Sequence, residues 1–387
     1  MPAHVRLLVA ARAVNQLGAF SLVFLTVLLC RDFGASLTVA GLVTALFGLA
    51  TIPSRLLGGR LADRWGRRRT ILIGLLGCAA AQLGIAAAPG LAVAATAAVL
   101  LGLAFELYEP PSQAMLAEAV AAEDRAAAYA LLTTALAVGN LGAGLVAAVV
   151  GRSGLRWLFV VDAASCLACA LIVRLALPAD QSRTVDREDR TVNVDTVSPW
   201  RDRALLAMTA SGTMFALVYM LMLGCLPLAL SADGHDPAGA GLLMAVATAA
   251  LVAGRPLLAK GPVARLSPGA ALAAGYTLMA VGLLGYVFAH SLPTLAAPTV
   301  AWSLGNLLLS GHAFAVVAGL APQGATARYL AVYGMSWGVA TVGAPIVGTV
   351  LIGAFGPAVL WAAMASVCLV LAGIQPRLIS ALSGPGG

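Results

Sequence analysis

Apolar stretches of about twenty residues recur from one end of the chain to the other, separated by short polar segments. Twelve of them can be bounded, at about 7–30, 37–57, 70–88, 91–114, 127–150, 157–177, 204–230, 238–258, 270–290, 293–320, 328–353 and 357–376. Nearly all have the length a helix needs to cross about 30 Å of hydrocarbon at about 1.5 Å per residue. Lipid offers backbone groups no hydrogen bonds, so spanning segments are helices or strands of a closed barrel. Barrel strands read as short alternating segments, whereas these runs are long and continuous. The pattern predicts an all-α membrane protein with twelve transmembrane helices.

Composition agrees with the pattern. Of the 387 residues, 61% are hydrophobic and 10% charged, against about 25% charged in an ordinary soluble domain. The N-terminal segment runs straight into the first apolar stretch with no small-residue cleavage site, which predicts a retained first helix and not a removed leader. The net charge of +7 follows topology. With the N-terminus inside, the outer loops hold Arg31, Arg152 and Arg156, and the other 20 of the 23 Lys and Arg fall on or near the inner side. Both termini are expected to be cytoplasmic in a cell (inner) membrane, with the lipid bilayer as partner and no nucleic acid. All six cysteines lie in or beside apolar runs. Cys166 and Cys169 have redox-motif spacing but no second pair or histidine, and read as packing residues.

The one extended polar segment, residues 178–203, divides six spans from six. It predicts an N-terminal bundle over 1–177, a cytoplasmic linker over 178–203, with a surface helix near Trp200, and a C-terminal bundle over 204–387. The halves resemble each other at an offset of 200: "AGLVTALFG" from Ala40 meets "AGLLMAVAT" from Ala240, Arg55 meets Arg255, and Tyr129 meets Tyr329. Repeated bundles with a site between them are a common plan for secondary transporters.

Between the second and third spans stands "GGRLADRWGRRRT", five arginines around a single acid, Asp63. The arginines alone would serve as a topology anchor against an anionic leaflet, at about 1 kcal/mol each. Anchoring does not require Asp63, Gly59 or Gly66. The spacing Gly59-x-Leu61-x-Asp63-Arg64-x-Gly66-Arg67-Arg68 resembles the signature loop between helices 2 and 3 of the major facilitator superfamily. Twelve spans split six and six extend that resemblance over the whole chain and imply the fold of two pseudo-symmetric six-helix bundles. By the same resemblance, Asp63 and Arg67 would form a relay with Glu118, latching the bundles. Two further stretches, from Tyr108 and from Ala321, resemble bacterial drug:proton antiporters. Ala143 stands where their helix-5 motif has proline, Asn306 where relatives often carry an acid, and Ala98 in the region of a helix-4 arginine.

An ionisable residue within a span is costly and is a functional candidate by default. Glu106 and Glu109, three apart in the fourth predicted helix, would share one face, and Pro110 and Pro111 would kink it. Paired carboxylates of this kind exchange protons. Glu109 also lies only about 8 Å from the predicted end of that helix, within reach of headgroup water. Arg12, with Asn15 and Gln16, either lines a cavity or extends to the inner surface. Asp32 and Asp162 read as charges paired or solvated near outer helix ends, beside Arg31 and Arg156. Asn306 and His312 are either ligands or interhelical hydrogen-bonding groups. Tyr219, Trp302 and Phe215 form either an aromatic wall or ordinary packing.

No phosphate-binding loop, metalloprotease helix or nucleophile elbow occurs, which excludes those enzyme classes. No metal or other cofactor is expected. The expected function is proton-driven efflux of a small amphipathic drug or secondary metabolite by alternating access, in a monomer. Two alternatives stand beside it: a proton-coupled importer or facilitator, and a transporter-like membrane sensor.

Overall fold

The structure is a computed structural model describing residues 3–18, 21–109, 111–112, 125–176, 199–259, 266–289, 291–322 and 326–382. Among the described residues there are thirteen α-helices and no strand. They are α1 Ala3–Gln16, α2 Leu25–Phe33, α3 Leu37–Trp65, α4 Arg67–Ala86, α5 Leu91–Phe105, α6 Arg125–Val150 and α7 Leu155–Ala176. The second half holds α8 Arg203–Ala232, α9 Gly239–Ala259, α10 Pro268–Phe288, α11 Leu292–Leu320, α12 Thr326–Phe355 and α13 Pro357–Leu382.

Among the described residues, ten segments are long and apolar enough to cross a membrane, counting α1 and α2 as one, Val9–Phe33. Leu91–Phe105 and Gly239–Gly254 are shorter apolar helices and account for the other two predicted spans. Leu56, Val149, Leu175 and Phe288 are all strongly exposed, an outward apolar surface suited to lipid rather than water. This is a multi-pass membrane protein.

The chain forms two compact units. The first comprises Met1–Thr184, Gly224–Ala245 and Pro345–Val350; the second comprises Val185–Leu223, Val246–Ala344 and Leu351–Gly387. The first unit's core gathers Phe24, Leu25, Leu28, Ile71, Leu75, Leu101 and Phe159. In the second, Leu272, Met279, Leu283, Trp302 and Leu360 are fully enclosed. There α10 and α11 approach so closely that a side chain on Gly305 would strike the Gly275 carbonyl, the small-residue contact on which membrane helices associate. Helix starts are capped by short polar side chains: Ser36 accepts from the Val39 amide, Ser267 from Ala270, and Asp202 from Ala204 and Leu205. Asp202 also accepts from the Tyr329 hydroxyl at 2.7 Å. Near Trp200, Pro199–Arg201 forms a 3-10 turn, and residues 178–198 of the expected linker lie outside the described residues.

Three expectations change. The first span is not continuous: α1 ends at Gln16, a 3-10 turn occupies Ser21–Phe24, and α2 follows. A side chain on Gly18 would strike the backbone of Asp162 and the hydroxyl of Ser165, so glycine lets the interrupted segment lie against α7. The fourth helix stops at Phe105 rather than near 114. The arginine-rich stretch is not a loop: α3 continues through it to Trp65, and Gly66 alone separates α3 from α4. Gly66 sits at φ +92°, a backbone region that residues with a Cβ rarely enter.

Candidate functional site

The break after α5 builds the first unit's polar centre. Pro110 and Pro111 have no amide hydrogen for the Glu106 and Leu107 carbonyls, so an unbroken helix through them would leave both carbonyls unpaired. Glu106, Leu107 and Tyr108 therefore form a turn, with the Leu107 amide donating to Ala104 at 3.2 Å. Glycines receive this turn, since a Cβ on Gly58 of α3 would strike the Leu107 carbonyl and one on Gly74 of α4 would crowd Tyr108. Ser112 closes the next turn by donating its hydroxyl to the Tyr108 carbonyl at 2.5 Å. Glu106 and Glu109 therefore do not share a face of one continuous helix: α5 ends at Phe105, Glu106 lies in the turn, and helical backbone resumes at Glu109.

The two carboxylates face different arginines. Glu109 pairs with Arg12 of α1, whose guanidinium also lies over the Tyr108 ring at 4.9 Å. Arg12 is 8% exposed and its Nη1 has no acceptor among the described residues. The cluster then extends through Asn15, which accepts from the Tyr108 hydroxyl at 3.3 Å and donates to Cys166 Sγ at 3.2 Å. Gln16 donates to Asn140 of α6 at 2.6 Å. Glu106 lies 3.9 Å from the largely exposed Arg55 of α3, and its amide donates to Ser54 at 3.1 Å. Arg12, Asn15 and Glu109 thus come together around Tyr108, joining α1, α7 and the break after α5, while Gln16 separately ties α1 to α6.

Asp32 pairs with Arg156 at 3.0 Å, as expected. Asp162 does not behave as a surface charge: it is 4% exposed and accepts from the Ser21 hydroxyl at 2.5 Å. Its place opposite the broken first span buries it, and a count of residues from the helix end could not reveal that break.

In the second unit, Tyr219 of α8 stacks on Trp302 of α11, with ring centres 5.7 Å apart and planes 24° apart. Trp337 of α12 meets Tyr219 edge-on at 5.3 Å and Phe215 at 5.9 Å. Each aromatic pair contributes about 0.5–1.5 kcal/mol beyond its buried area. Trp337 was not among the sequence candidates, although it follows Phe215, Tyr219 and Trp302 in type. Trp302 is enclosed and its indole nitrogen has no acceptor among the described residues. Asn306, one turn along α11, is buried. His312 bonds the Leu308 carbonyl of its own helix through Nδ1 at 2.8 Å, not a neighbouring helix.

Of the expected gate, Arg64 lies exposed near the end of α3, and Gly66 and Arg67 stand at the junction with α4. Arg68 donates to the Arg174 carbonyl, tying the start of α4 to the end of α7. Gly59 and Asp63 belong to α3, but their side-chain positions lie outside what is described, and Glu118 lies outside the described residues altogether. Among the described residues, no three of His, Cys, Asp and Glu are grouped to hold a metal ion.

The sequence is 28% identical over 379 residues to an MFS-type transporter of Bacillus subtilis, YhjO, covering 92% of this chain and 88% of that one. Over a shorter stretch of 118 residues, 29% of this chain and 27% of the other, it is 30% identical to a Na(+), Li(+), K(+)/H(+) antiporter of Planococcus maritimus. The fold matches the crystal structure of a peptide transporter, POT, in complex with sulfate, with a TM-score of 0.79 at 15% identity over 99% of this chain and 95% of that one. Residues 8–261 match the sequence model of the Major Facilitator Superfamily, and the chain belongs to that family of transporters.

Proposed function

We propose that this transporter exports a small amphipathic compound, a drug or secondary metabolite, in exchange for protons. The observation that carries the reading is the ion pair between Arg12 and Glu109, held in a largely apolar setting by Tyr108 and Asn15. An ionised Glu109 satisfies Arg12. A proton on Glu109 neutralises it and releases the guanidinium, whose Nη1 already has no acceptor among the described residues. A substrate bearing a carbonyl, ether or anionic oxygen would then bind Arg12. Binding substrate and binding proton become competing or sequential states of one pair, which is the minimal requirement of coupled exchange. The partial similarity to a protein named as a cation/proton antiporter supports proton exchange over facilitated diffusion.

Glu106, with the exposed Arg55, is the secondary proton candidate. Tyr219, Trp302 and Trp337 offer aromatic faces to a lipophilic substrate, with Asn306 one turn away; His312, bonded along its own helix, is the weakest of the ligand candidates. The moving bodies would be residues 1–177 and 204–387, joined by the 178–203 linker. Gly59, Asp63, Arg64, Gly66, Arg67 and Glu118 would act as the latch, in a monomer whose termini face the cytoplasm of a cell-membrane protein.

The test is proton movement in energised inside-out vesicles, followed with a pH-sensitive dye while lipophilic cations and neutral compounds are added. Wild type is expected to dissipate the gradient with at least one compound, and Glu109→Gln is expected to bind that compound without moving protons. Compound transport that is unaffected by collapsing the proton gradient would overturn antiport and leave a facilitator.

A further inference from the structure

Opposite the break in the first span lies a carboxylate that the Arg12–Glu109 network does not use. Asp162 of α7 is enclosed by α1, the 3-10 turn Ser21–Phe24 and α4. Its partners are all neutral. Ser21 donates to Oδ2 at 2.5 Å, Ser165 lies 3.4 Å from Oδ1 while donating to the Asp162 carbonyl at 2.8 Å, and the Gln82 amide of α4 donates to the carboxylate. Among the described residues, the titratable groups facing it are the thiols of Cys78 on α4 and Cys166 on α7, and α1 and the 3-10 turn contribute Asn15 and Ser21. Among the described residues the ion pairs are Arg12 with Glu109, Arg55 with Glu106, and Arg156 with Asp32. Asp162 belongs to none of them.

A carboxylate taken out of water without a countercharge is stable when something neutralises it. The second observation is Gln82, which is 2% exposed and whose Oε1 has no donor among the described residues. One end of that amide already serves Asp162, and the other end is an unused acceptor. Rotation of the terminal amide exchanges Nε2 for Oε1, turning a donor for an ionised carboxylate into an acceptor for a protonated one.

We propose that Asp162 is a second proton-binding site of this protein, separate from Glu106 and Glu109, read out by Gln82 and Ser21 across the broken first span. The proton comes from water, forms an O–H bond at one carboxylate oxygen and takes the site from a charge of −1 to zero. The new hydroxyl donates to Gln82 Oε1 and the ionised-state bond from Gln82 is lost. The close approach of Gly18 to the Asp162 backbone and to Ser165 leaves the site compact. That suits a proton, where an alkali ion would need an oxygen shell at about 2.4 Å.

The test uses full-length protein in lipid vesicles and pH-jump infrared difference spectroscopy, which reports the carbonyl stretch of a protonated carboxyl group. It does not depend on transport, so failure of the antiport reading leaves it intact. Wild type is expected to show a carboxyl band that disappears in Asp162→Asn, persists in Glu109→Gln, and shifts in Gln82→Leu and Ser21→Ala. The last two variants keep the carboxylate and decide the matter if Asp162→Asn does not fold. A band unchanged in both, or absent from wild type over the pH range in which the protein stays folded, overturns the proposal. A band removed at constant pH by added sodium or lithium chloride overturns it in favour of an alkali-ion site.

Discussion

The ion pair between Arg12 and Glu109 predicts a specific pattern of coupling. Replacing Glu109 with Met removes the anion and leaves a guanidinium that is 8% exposed. Removing one partner of a buried pair costs about 3–5 kcal/mol. Two features of the site reduce this: the Glu109 side chain keeps 26% of its exposure, and the Tyr108 ring remains beneath Arg12, retaining about 0.5–2 kcal/mol. The expected loss is about 2–4 kcal/mol. Arg12→Met strands a carboxylate with better access to water, for an expected loss of about 1–3 kcal/mol. Together, Arg12→Met and Glu109→Met remove both charges and are expected to lose less than Glu109→Met alone, because an apolar pair of similar volume is often neutral. The cycle should therefore give a coupling of at least about 1 kcal/mol. Unfolding in mixed micelles can be followed by maleimide labelling of Cys166 and Cys169, both buried and free. If the two single losses add to the double within about 0.5 kcal/mol, the pair is not the coupled unit described above.

Gly18→Ala places a methyl group into the Asp162 backbone and should lower stability by about 1–3 kcal/mol; an unchanged melting temperature in detergent would mean that the break in the first span is not tightly seated on α7. Gly66→Ala forces a side chain onto φ +92°, ψ 156°, with an expected loss of about 1–3 kcal/mol in the same assay, and wild-type stability would refute a strained junction between α3 and α4. Asp32→Asn removes a half-exposed partner of Arg156, worth about 0–1 kcal/mol. Arg156→Ala should cost more, because Arg156 also donates to the Ala88 carbonyl at 3.0 Å and covers the Phe33 ring. Equal effects of the two substitutions would show that only the charge pair matters there.

The number and kind of spans were legible because hydrophobic length is a one-dimensional property. Interruptions were not. The first span reads as one apolar run from Leu7 to Cys30, and only the packing of Gly18 against α7 shows where the helix stops. The fourth span differs in kind: Pro110 and Pro111 predict a kink, whereas α5 ends at Phe105 and a turn over residues 106–108 precedes the helical backbone that resumes at Glu109. Arg12 and Glu109 each stand out as charges near the end of an apolar run, with either a cavity or the membrane surface in reach, but 97 residues separate them, and nothing local in either sequence names its partner. Asp162 was misjudged because depth was counted along an assumed straight helix bundle, whereas its burial comes from the interrupted segment opposite. The aromatic cluster was three-quarters legible by residue type, with Trp337 missing because its face depends on how α12 packs.

Asn15 connects the two acidic environments of the first unit. Its side-chain oxygen accepts from Tyr108, the residue beneath Arg12, and its side-chain nitrogen donates to Cys166, one turn from Asp162. Its backbone carbonyl lies 3.2 Å from the Ser165 hydroxyl, and Ser165 in turn lies against Asp162. Two residues further along, α1 gives way at Leu17 and Gly18. A helix that stops here exposes carbonyls that an unbroken one would have used internally, and Asn15 is where those carbonyls meet side chains of α7. Neutralising Glu109 changes what Arg12 and Tyr108 hold, and neutralising Asp162 changes what Ser21, Ser165 and Gln82 hold. Both changes act on the same few residues of α1. A continuous helix would transmit either event along its axis as a rigid rod. An interrupted one separates the Arg12 end from the segment facing Asp162, with Asn15 as the residue that both environments hold.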